Sequence, residues 1–339
     1  MKPAIKKSLG LGCRILGIGR LVSVFRPGRF VVLMFHRVVD AATLRTSANG
    51  PLMVEEGTFA ALARTLSQKC LCLPLAEARQ RAKNGSSGSK PVVAVTFDDG
   101  YGDCYDRAFP ILTRFGIPAT IYLSTGYLDA PDRLFWWDAV EQYFQAPQDQ
   151  DKLQGAGLHD GVIREVASVA ASRSPRCVEA FIRGPLRSLA PEQRHLFLAL
   201  AQRSATSRPS MLTWDQVREM AGSGLVDFGA HTVNHPFLDE VDHAQALEEI
   251  QASKRRVEEE TDRRVTSFAY PSGHVPQGYG EMLSQAGIGL AVTTRFGSNG
   301  ANGDPLLLQR IDARLGLVGD EFASSYFMAL CWGCLDWLH

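Results

Sequence analysis

The stretch Val-Thr-Phe-Asp-Asp-Gly at Val95–Gly100 closes an apolar run, Val92–Phe97, with two adjacent carboxylates and a glycine. This pattern is typical of a buried strand that delivers charged groups to the rim of a sheet. Because consecutive strand residues point to opposite faces, Asp98 and Asp99 can take separate tasks, one binding a metal while the other acts as a base. Gly100 lets a substrate or metal approach the backbone closely. The stretch therefore predicts one edge of an active site.

A second strand end carries two histidines four residues apart, His231 and His235. Val226–Ala230 is predicted to be a short strand that runs into His231, and Asn234 with Pro236 indicates a turn after it. The spacing of the histidines alone is weak evidence, but their place at a strand end favours a functional pair. Two imidazoles and one carboxylate, with open positions for water, form a typical hydrolytic zinc site. We therefore expect the two strand ends to meet at one rim.

Asp98 and Asp99 also have a purely structural interpretation, as the cap of a helix. Aspartate favours the position that precedes a helix, and a helix is predicted to begin near Asp103. Capping needs only one of Asp98 and Asp99, however, and it does not predict a distant pair of histidines. We therefore favour the catalytic interpretation.

Five segments of the chain occur in an order known from one enzyme family. They are Thr96–Gly100, Tyr101–Asp103, Gly116–Leu123, His231–Pro236 and Phe268–Gly273. On these segments the chain resembles the polysaccharide deacetylases, which are also called NodB-like proteins or family 4 carbohydrate esterases. The resemblance covers roughly residues 30 to 315 with one interruption, and five ordered matches are far more specific than any single one.

The resemblance implies a role for each residue at the two strand ends. Asp98 is implied to be the general base, while Asp99, His231 and His235 are implied to hold a divalent metal, for which the ligand types favour Zn²⁺. Such a metal acidifies water towards neutral pH, and a carboxylate takes the proton as the water attacks the amide carbon of an N-acetyl group. The backbone N–H of Ser272 matches the family position that stabilises the oxyanion. Ser272 is thus implied to act through its backbone.

The chain departs from the family pattern at the residue that orients the base. The family motif that matches Phe268–Gly273, here called the third motif, usually begins with an arginine, whereas this chain has Ala269 at that position. Another group must therefore position Asp98. Arg310, in the stretch Leu308–Ile311, is our predicted substitute.

A second departure concerns the general acid. The late Leu-x-His segment of the family is absent from residues 306–317. His36 is the predicted replacement, because it follows another apolar run, Phe30–Phe35, and resembles the early histidine of a permuted branch that includes the biofilm poly-N-acetylglucosamine deacetylases. Its imidazolium can protonate the leaving amine. His274, directly after the third motif, is the alternative, and a purely structural role for His36 also stays open.

Strand-like runs alternate with helical patterns along the chain, which is the signature of an α/β fold. The resemblance implies a distorted (β/α) barrel of the polysaccharide deacetylase type, in which active groups gather at the carboxyl ends of the strands. We predict a basic N-terminal segment at 1–29, the barrel at 30–320 and an aromatic C-terminal segment at 321–339. The predicted strands are Val31–Phe35, Val92–Phe97, Thr120–Leu123, Val226–Ala230, Ser267–Tyr270 and Leu290–Thr293.

A helical insertion is predicted at about residues 134–211, where the strand signals stop. It either covers the substrate and sets its specificity or is an inert surface decoration, and the sequence favours neither. Trp136, Trp137 and Trp214 are predicted to pack in the core.

The clearest predicted helix follows the histidines. Asp242 is its expected N-cap, Ile250 and Val257 share an apolar stripe, and Glu260 is expected to pair with Arg264 one turn later. This helix is predicted to lie outside the barrel with its charges in solvent.

Composition excludes some partners. Lysine plus arginine equals aspartate plus glutamate at 36 each, so no overall field draws the protein to nucleic acid. Seven cysteines without regular spacing indicate a reducing compartment, and we expect a cytoplasmic enzyme. The basic residues of 1–29 favour either peripheral contact with the inner membrane or an ordinary terminal arm, and Tyr326–Leu338 is expected to dock on the barrel.

The sequence therefore predicts a metal-dependent N-deacetylase that acts on an N-acetylated sugar in a polysaccharide or a lipid-linked glycan. One alternative keeps the chemistry but changes the substrate to an N-formyl sugar or another amide. A second alternative is a glycan-binding protein of the same fold that has lost turnover. The sequence leaves the sugar, its linkage and the oligomeric state open.

Overall fold

The computed structural model describes residues 28–85, 89–130, 132–146, 150–205, 209–318 and 321–336, together with residues 5, 8–9 and 11–13. Most of the predicted basic segment 1–29 lies outside the described residues. No helix within the described part of the chain combines the length and the apolar character that crossing a membrane requires.

Seven parallel strands form a closed barrel in the order β1, β5, β6, β7, β8, β9, β11 and back to β1. The predicted (β/α) barrel is therefore confirmed. The strands of the chain are β1 (Arg29–Phe35), β2 (Arg37–Val39), β3 (Met53–Glu55), β4 (Leu71–Cys72), β5 (Val92–Phe97), β6 (Ala119–Leu123), β7 (Val226–Ala230), β8 (Ser267–Ala269), β9 (Leu290–Phe296), β10 (Asn299–Gly300), β11 (Leu308–Asp312), β12 (Leu317–Val318) and β13 (Glu321–Phe322).

Helices surround the barrel and form the insertion. They are α1 (Ala41–Thr46), α2 (Glu56–Lys69), α3 (Leu75–Lys83), α4 (Phe109–Phe115), α5 (Thr125–Asp129), α6 (Trp136–Gln145), α7 (Gln150–Gln154), α8 (Asp160–Ser172), α9 (Pro175–Arg183), α10 (Pro185–Ser188), α11 (Pro191–Ser204), α12 (Trp214–Gly222), α13 (His243–Thr261), α14 (Tyr279–Gln285) and α15 (Ser324–Cys331). Short 3₁₀ turns lie at Gly50–Leu52, Pro271–Gly273 and Ala313–Gly316, and a π-helical turn, Cys104–Ala108, leads into α4.

Alternate residues of the barrel strands belong to two separate apolar clusters, as the period of a strand requires. Phe30 and Val32 of β1 share one cluster with Val92 and Ala94 of β5, together with residues of α3. The intervening residues of the same strands pack with the surrounding helices. Asp98 continues the alternation of Ala94, so it extends from the first cluster towards the barrel interior. The strand period thus decides on which side the base candidate lies.

All six predicted strand runs are strands of the barrel. The predicted strands do not include the seventh, β11, which lies between β9 and β1 and closes the ring. Arg310 and Asp312 interrupt its apolar pattern, because one face of β11 carries polar groups for the interior. A strand whose inward face is polar gives no apolar run for sequence reasoning to detect.

Helices α6 to α11 occupy the segment of the predicted insertion. These helices have their own apolar cluster, which includes Tyr143, Phe181 and Phe197. The C-terminal helix α15 packs instead on the barrel. Its residues Phe327 and Leu330 belong to the apolar cluster that barrel strands form with the surrounding helices. Its predicted docking on the barrel agrees with this packing.

Helix α13 begins as expected, because the Asp242 carboxylate accepts a hydrogen bond from the backbone N–H of Gln245. The expected pairing of Glu260 with Arg264 is wrong. The helix ends at Thr261, and the Glu260 carboxylate binds Arg218 and Arg256.

Candidate active site and metal centre

Asp98 lies at the end of β5 and is held by Arg310 from β11. The two Nη atoms of Arg310 donate to the two carboxylate oxygens of Asp98 at 2.7 and 2.6 Å. The Arg310 Nε donates to the carbonyl of Thr293 at 2.8 Å, and both members of the pair are buried. The bidentate contact fixes the plane of the Asp98 carboxylate.

The Arg310 contact also fixes the charge of Asp98. Burial by itself raises the pKa of the Asp98 carboxyl, but the charge and hydrogen bonds of Arg310 outweigh this effect. The pKa of Asp98 therefore lies well below its usual range. The contact thus favours the anionic form of Asp98, which is the form that accepts a proton.

Asp99, His231 and His235, here called the metal group, come together at the same rim. The Asp99 Oδ1 lies 3.4 Å from the Nε2 of His231 and 3.6 Å from the Nε2 of His235. One potential ligand atom from each residue lies within 4.8 Å of the others, and all three residues are buried. The two strand ends thus meet, and the capping alternative does not apply, since Asp98 binds Arg310 and Asp99 faces the histidines.

The backbone around the metal group is strained. Asp99, Thr232, His235 and Ser272 all have positive φ, at 78°, 65°, 54° and 53°. Non-glycine residues rarely adopt this conformation, and such strain persists only where the surrounding structure enforces it. Four such residues at one rim indicate a functional site.

Hydrogen bonds hold residues 231–235, here called the histidine loop, in this conformation. The Nδ1 of His231 donates to the carbonyl of Ala269 at 2.7 Å, which leaves its Nε2 free for a metal. The Glu249 carboxylate of α13 accepts from the backbone N–H groups of Val233 and Asn234 at 2.9 and 2.8 Å. Sequence reasoning missed Glu249, because nothing in a charged helix tells which glutamate turns inward.

The two histidines differ in their acid–base properties. Burial, together with the charge of the neighbouring His231, lowers the pKa of His235 to about 3. Burial also acts to lower the pKa of His231, but the hydrogen bond to Asp99 and the nearby carboxylates raise it above the ordinary value. His235 is therefore neutral, which is the form that binds a metal.

The donor atoms of the metal group fit a divalent cation. One carboxylate and two imidazoles are the ligand types of hydrolytic zinc sites. The Asp99 Oδ2 is buried and has no hydrogen-bond partner among the described residues. A buried carboxylate oxygen without a donor costs free energy unless a cation neutralises it. The residues present therefore suit a metal between Asp99 and the two histidines.

A cavity of about 420 Å³ opens above the metal group and Asp98. His36 and Ser272 line it, and the Nε2 of His36 lies 3.9 Å from the Asp98 Oδ2. His274 does not line this cavity, and its Nδ1 is paired with Asp239 at 2.8 Å. The structure therefore places His36, and not His274, in the cavity beside Asp98.

Ser272 owes its position to the turn Pro271–Gly273. Gly273 has a φ of 77°, and a Cβ there would lie 2.0 Å from the Oγ1 of Thr294. Only glycine permits this close approach. The turn places Ser272 at the wall of the cavity.

Tryptophans of the insertion also reach the cavity. Trp136 and Trp137 both line it, and the ring of Trp137 lies edge-on to His235 with centroids 5.0 Å apart. The Nε1 of Trp137 donates to the Tyr101 hydroxyl, which donates to the buried Asp138 carboxylate. The core prediction for these two tryptophans was incomplete, because they pack on the insertion and line the cavity as well.

Trp214 lies apart from the site. It is partly buried against the barrel core, and its Nε1 donates to Asp129 at 2.7 Å. Its predicted packing role agrees with this position.

The sequence matches the family described as Polysaccharide deacetylase at residues 85–159 and 186–291. It is also similar to the poly-beta-1,6-N-acetyl-D-glucosamine N-deacetylase of Escherichia coli (strain K12), with 26% identity over 211 residues that make up 60% of this chain and 21% of that protein.

Solved structures share the fold. The Streptococcus pyogenes deacetylase PplD in complex with acetate has a TM-score of 0.56 and 22% identity, covering 84% of this chain and 92% of that chain. IcaB from Ammonifex degensii has a TM-score of 0.56 and 20% identity, covering 91% of this chain and 98% of that one. At these identities the similarity establishes the barrel alone.

Proposed function

This chain belongs to the polysaccharide deacetylase family, and from that premise we propose that it is a metal-dependent hydrolase that removes N-acetyl groups from amino sugars. The substrate we propose is a polysaccharide or a lipid-linked glycan. The observation that carries the proposal is the convergence of Asp98 with the metal group in one cavity. Zn²⁺ is the proposed metal, since it suits one carboxylate and two imidazoles.

The proposed mechanism divides the work among residues of this chain. Asp99, His231 and His235 would hold the metal, which when bound acidifies water and polarises the amide carbonyl. Asp98, fixed by Arg310, accepts the proton of the attacking water. The backbone N–H of Ser272 donates to the oxyanion, and the imidazolium of His36 gives its proton to the leaving amine.

Two of the comparisons support this substrate class. The Escherichia coli relative is named for the removal of N-acetyl groups from a polymer of N-acetylglucosamine. The PplD structure contains acetate, which is the product that such a reaction releases. The proposed location is the cytoplasm, with contact at the inner membrane as a further expectation.

The first experiment measures acetate release from N-acetylated oligosaccharides by the Zn²⁺-loaded protein. Asp98→Asn is expected to lower the rate by roughly 10²- to 10⁴-fold with the metal content unchanged, because it removes the base and keeps the ligands. Asp99→Ala is expected to lose the metal itself. Undiminished activity in Asp98→Asn refutes the assigned base. Metal-loaded protein that hydrolyses no acylated sugar, N-formyl sugars included, supports the glycan-binding alternative.

A second experiment tests the acid. His36→Ala is expected to lower the rate while the metal content stays at the wild-type level, since His36 is no ligand. His274→Ala is the matched control and is expected to keep the rate, because His274 is paired with Asp239 outside the cavity. A slow His274→Ala beside an unaffected His36→Ala would reverse the two assignments.

A further inference from the structure

The insertion forms one wall of the cavity that contains the metal group. Trp136 and Trp137 come from α6, Ile182 and Arg183 from α9, and Arg187 from α10. The same cavity is lined by Asp98, Thr294 and Asp312 at the ends of barrel strands. A glycan bound at the metal group therefore lies in a cavity that the insertion helps to form.

The carboxylates that line the cavity are already engaged. Asp98 binds Arg310, and Asp99 faces the two histidines of the metal group. Glu179 pairs with Arg183 at 3.4 Å, and Asp312 accepts from the Nε of Arg314 at 3.1 Å. No carboxylate among the described lining residues is left to neutralise a further cation.

Arg187 is a cation of this cavity that none of the described lining carboxylates neutralises. It lines the cavity and has no carboxylate at ion-pair distance within the described residues. Two guanidinium groups on consecutive helices with one carboxylate between them leave an excess of positive charge on the insertion wall.

An aromatic ring lies beside this charge. Trp136 is half-buried and packs edge-on against Trp137, with centroids 5.3 Å apart. The Cζ of Arg187 lies 5.9 Å from the centroid of the Trp136 ring. Aromatic faces in pockets pack on the apolar faces of ligands, while a few polar groups fix the orientation. The pair thus offers a surface for a sugar ring and a donor for a charged substituent on it.

We propose that the insertion wall binds an oxyanion on the substrate, so that the glycan carries a phosphate ester or a carboxylate close to the N-acetylated sugar. Arg187, assisted by Arg183, binds the oxyanion, and Trp136 packs on the adjacent sugar ring. Guanidinium groups bind both anions through paired N–H donors. This inference rests on the proposed N-deacetylase function and narrows its substrate class.

The test compares a neutral probe with two charged probes. The neutral probe is the methyl glycoside of N-acetylglucosamine, and the charged ones are N-acetylglucosamine 1-phosphate and a disaccharide of glucuronate and N-acetylglucosamine. The wild type is expected to prefer at least one charged probe in kcat/KM for acetate release. Arg187→Gln is expected to reduce that preference roughly tenfold, the effect of losing one charge-assisted hydrogen bond. The two charged probes distinguish a phosphate from a carboxylate.

Arg176→Gln is the matched control. Arg176 is exposed on the same helix as Arg183 and does not line the cavity, so this variant is expected to keep the wild-type preference. A wild type without any preference for the charged probes, or equal losses in Arg187→Gln and Arg176→Gln, overturns the anion site.

Binding to Asp98→Asn separates this inference from the proposed activity. Calorimetry with the same probes is expected to show tighter binding of a charged probe, a difference that Arg187→Gln removes and that added salt weakens. If that difference is measured while no probe releases acetate, the proposed activity fails and the anion site stands. If acetate is released and all probes bind equally, the anion site fails and the proposed activity stands.

Discussion

Arg310 shows how a side chain from a distant strand can hold the Asp98 carboxylate. The family places an arginine at the position of Ala269, at the end of β8, whereas this chain supplies a guanidinium from β11. Both strands belong to the same parallel barrel, and the arginine from β11 reaches Asp98. Ala269 retains a role through its backbone, because its carbonyl accepts the hydrogen bond of His231.

Arg310→Met is expected to destabilise the protein by about 3–5 kcal/mol, because it leaves the Asp98 charge buried without a partner. Urea denaturation with a chelator present measures the change. The double variant Arg310→Met with Asp98→Asn is expected to recover most of the loss, since neither charge remains. If Arg310→Met alone is as stable as the wild type, the pair of Arg310 and Asp98 does not contribute to stability.

Asp138 gives the protein a stability that depends on pH. Burial raises the pKa of Asp138 to about 7, despite the opposing effects of Arg37 and the Tyr101 hydrogen bond. A group whose pKa is raised on folding stabilises the protein below its unfolded pKa, roughly 3.9, and the stabilisation is lost as the pH rises through the folded pKa.

The free energy of unfolding is therefore expected to fall between about pH 4 and pH 7 by on the order of 3 kcal/mol through Asp138 alone. Asp138→Asn removes the titrating group and is expected to flatten the slope over this range. Denaturation at several pH values, with chelator in every sample, compares the two proteins. Equal slopes in both would contradict the raised pKa.

At the scale of the element, α13 controls the histidine loop. Its N-cap Asp242 fixes the start of the helix, which places Glu249 two turns later against the backbone of Val233 and Asn234. The loop has two residues in the left-handed conformation, Thr232 and His235. Two N–H groups bound by one carboxylate offset that strain.

Glu249→Ala is expected to weaken metal binding by roughly 10- to 100-fold, the usual effect of losing a group that orients the ligands. Competition with a chromophoric chelator measures the affinity for Zn²⁺. Glu248→Ala is the matched control, because Glu248 is the neighbouring residue, is exposed, and contacts Arg255 instead of the loop. Equal affinities in the two variants would remove Glu249 from the support of the metal group.

The whole molecule is a barrel with two additions that behave differently. The insertion has its own apolar cluster and also reaches the cavity, whereas the C-terminal helix α15 shares the barrel core. Of the two alternatives for the insertion, its contact with the cavity favours a role in substrate binding. Phe327 of α15 is fully buried, and a Cβ on Gly316 would lie 2.7 Å from its ring.

Phe327→Ala is expected to destabilise the protein by about 3–5 kcal/mol, as the loss of a buried phenylalanine in a close-packed core does. Thermal and urea denaturation measure the change. Met328→Ala, at the neighbouring half-buried position, is expected to cost clearly less. If both variants are as stable as the wild type, α15 does not belong to the core.

The sequence by itself determined the strands that end in functional residues. Four residues of the site follow an apolar run, namely Asp98, Asp99, His231 and His36. Such a run indicates, from the local sequence alone, that a buried strand ends there. The parallel arrangement then brings the strand ends to one rim, which is why the metal group could be predicted. Local patterns also identified the N-cap Asp242 and the helical character of the insertion.

Only the tertiary structure decided which distant groups support those residues. Arg310 as the partner of Asp98, Glu249 under the histidine loop and the insertion at the cavity all depend on contacts between segments far apart in the chain. The inward face of β11 is polar, so its sequence has no apolar run. Glu249 is one of several glutamates in α13, and no local pattern shows that its side chain points towards the loop. Burial makes such contacts strong, and burial is a property of the folded chain and not of any segment alone.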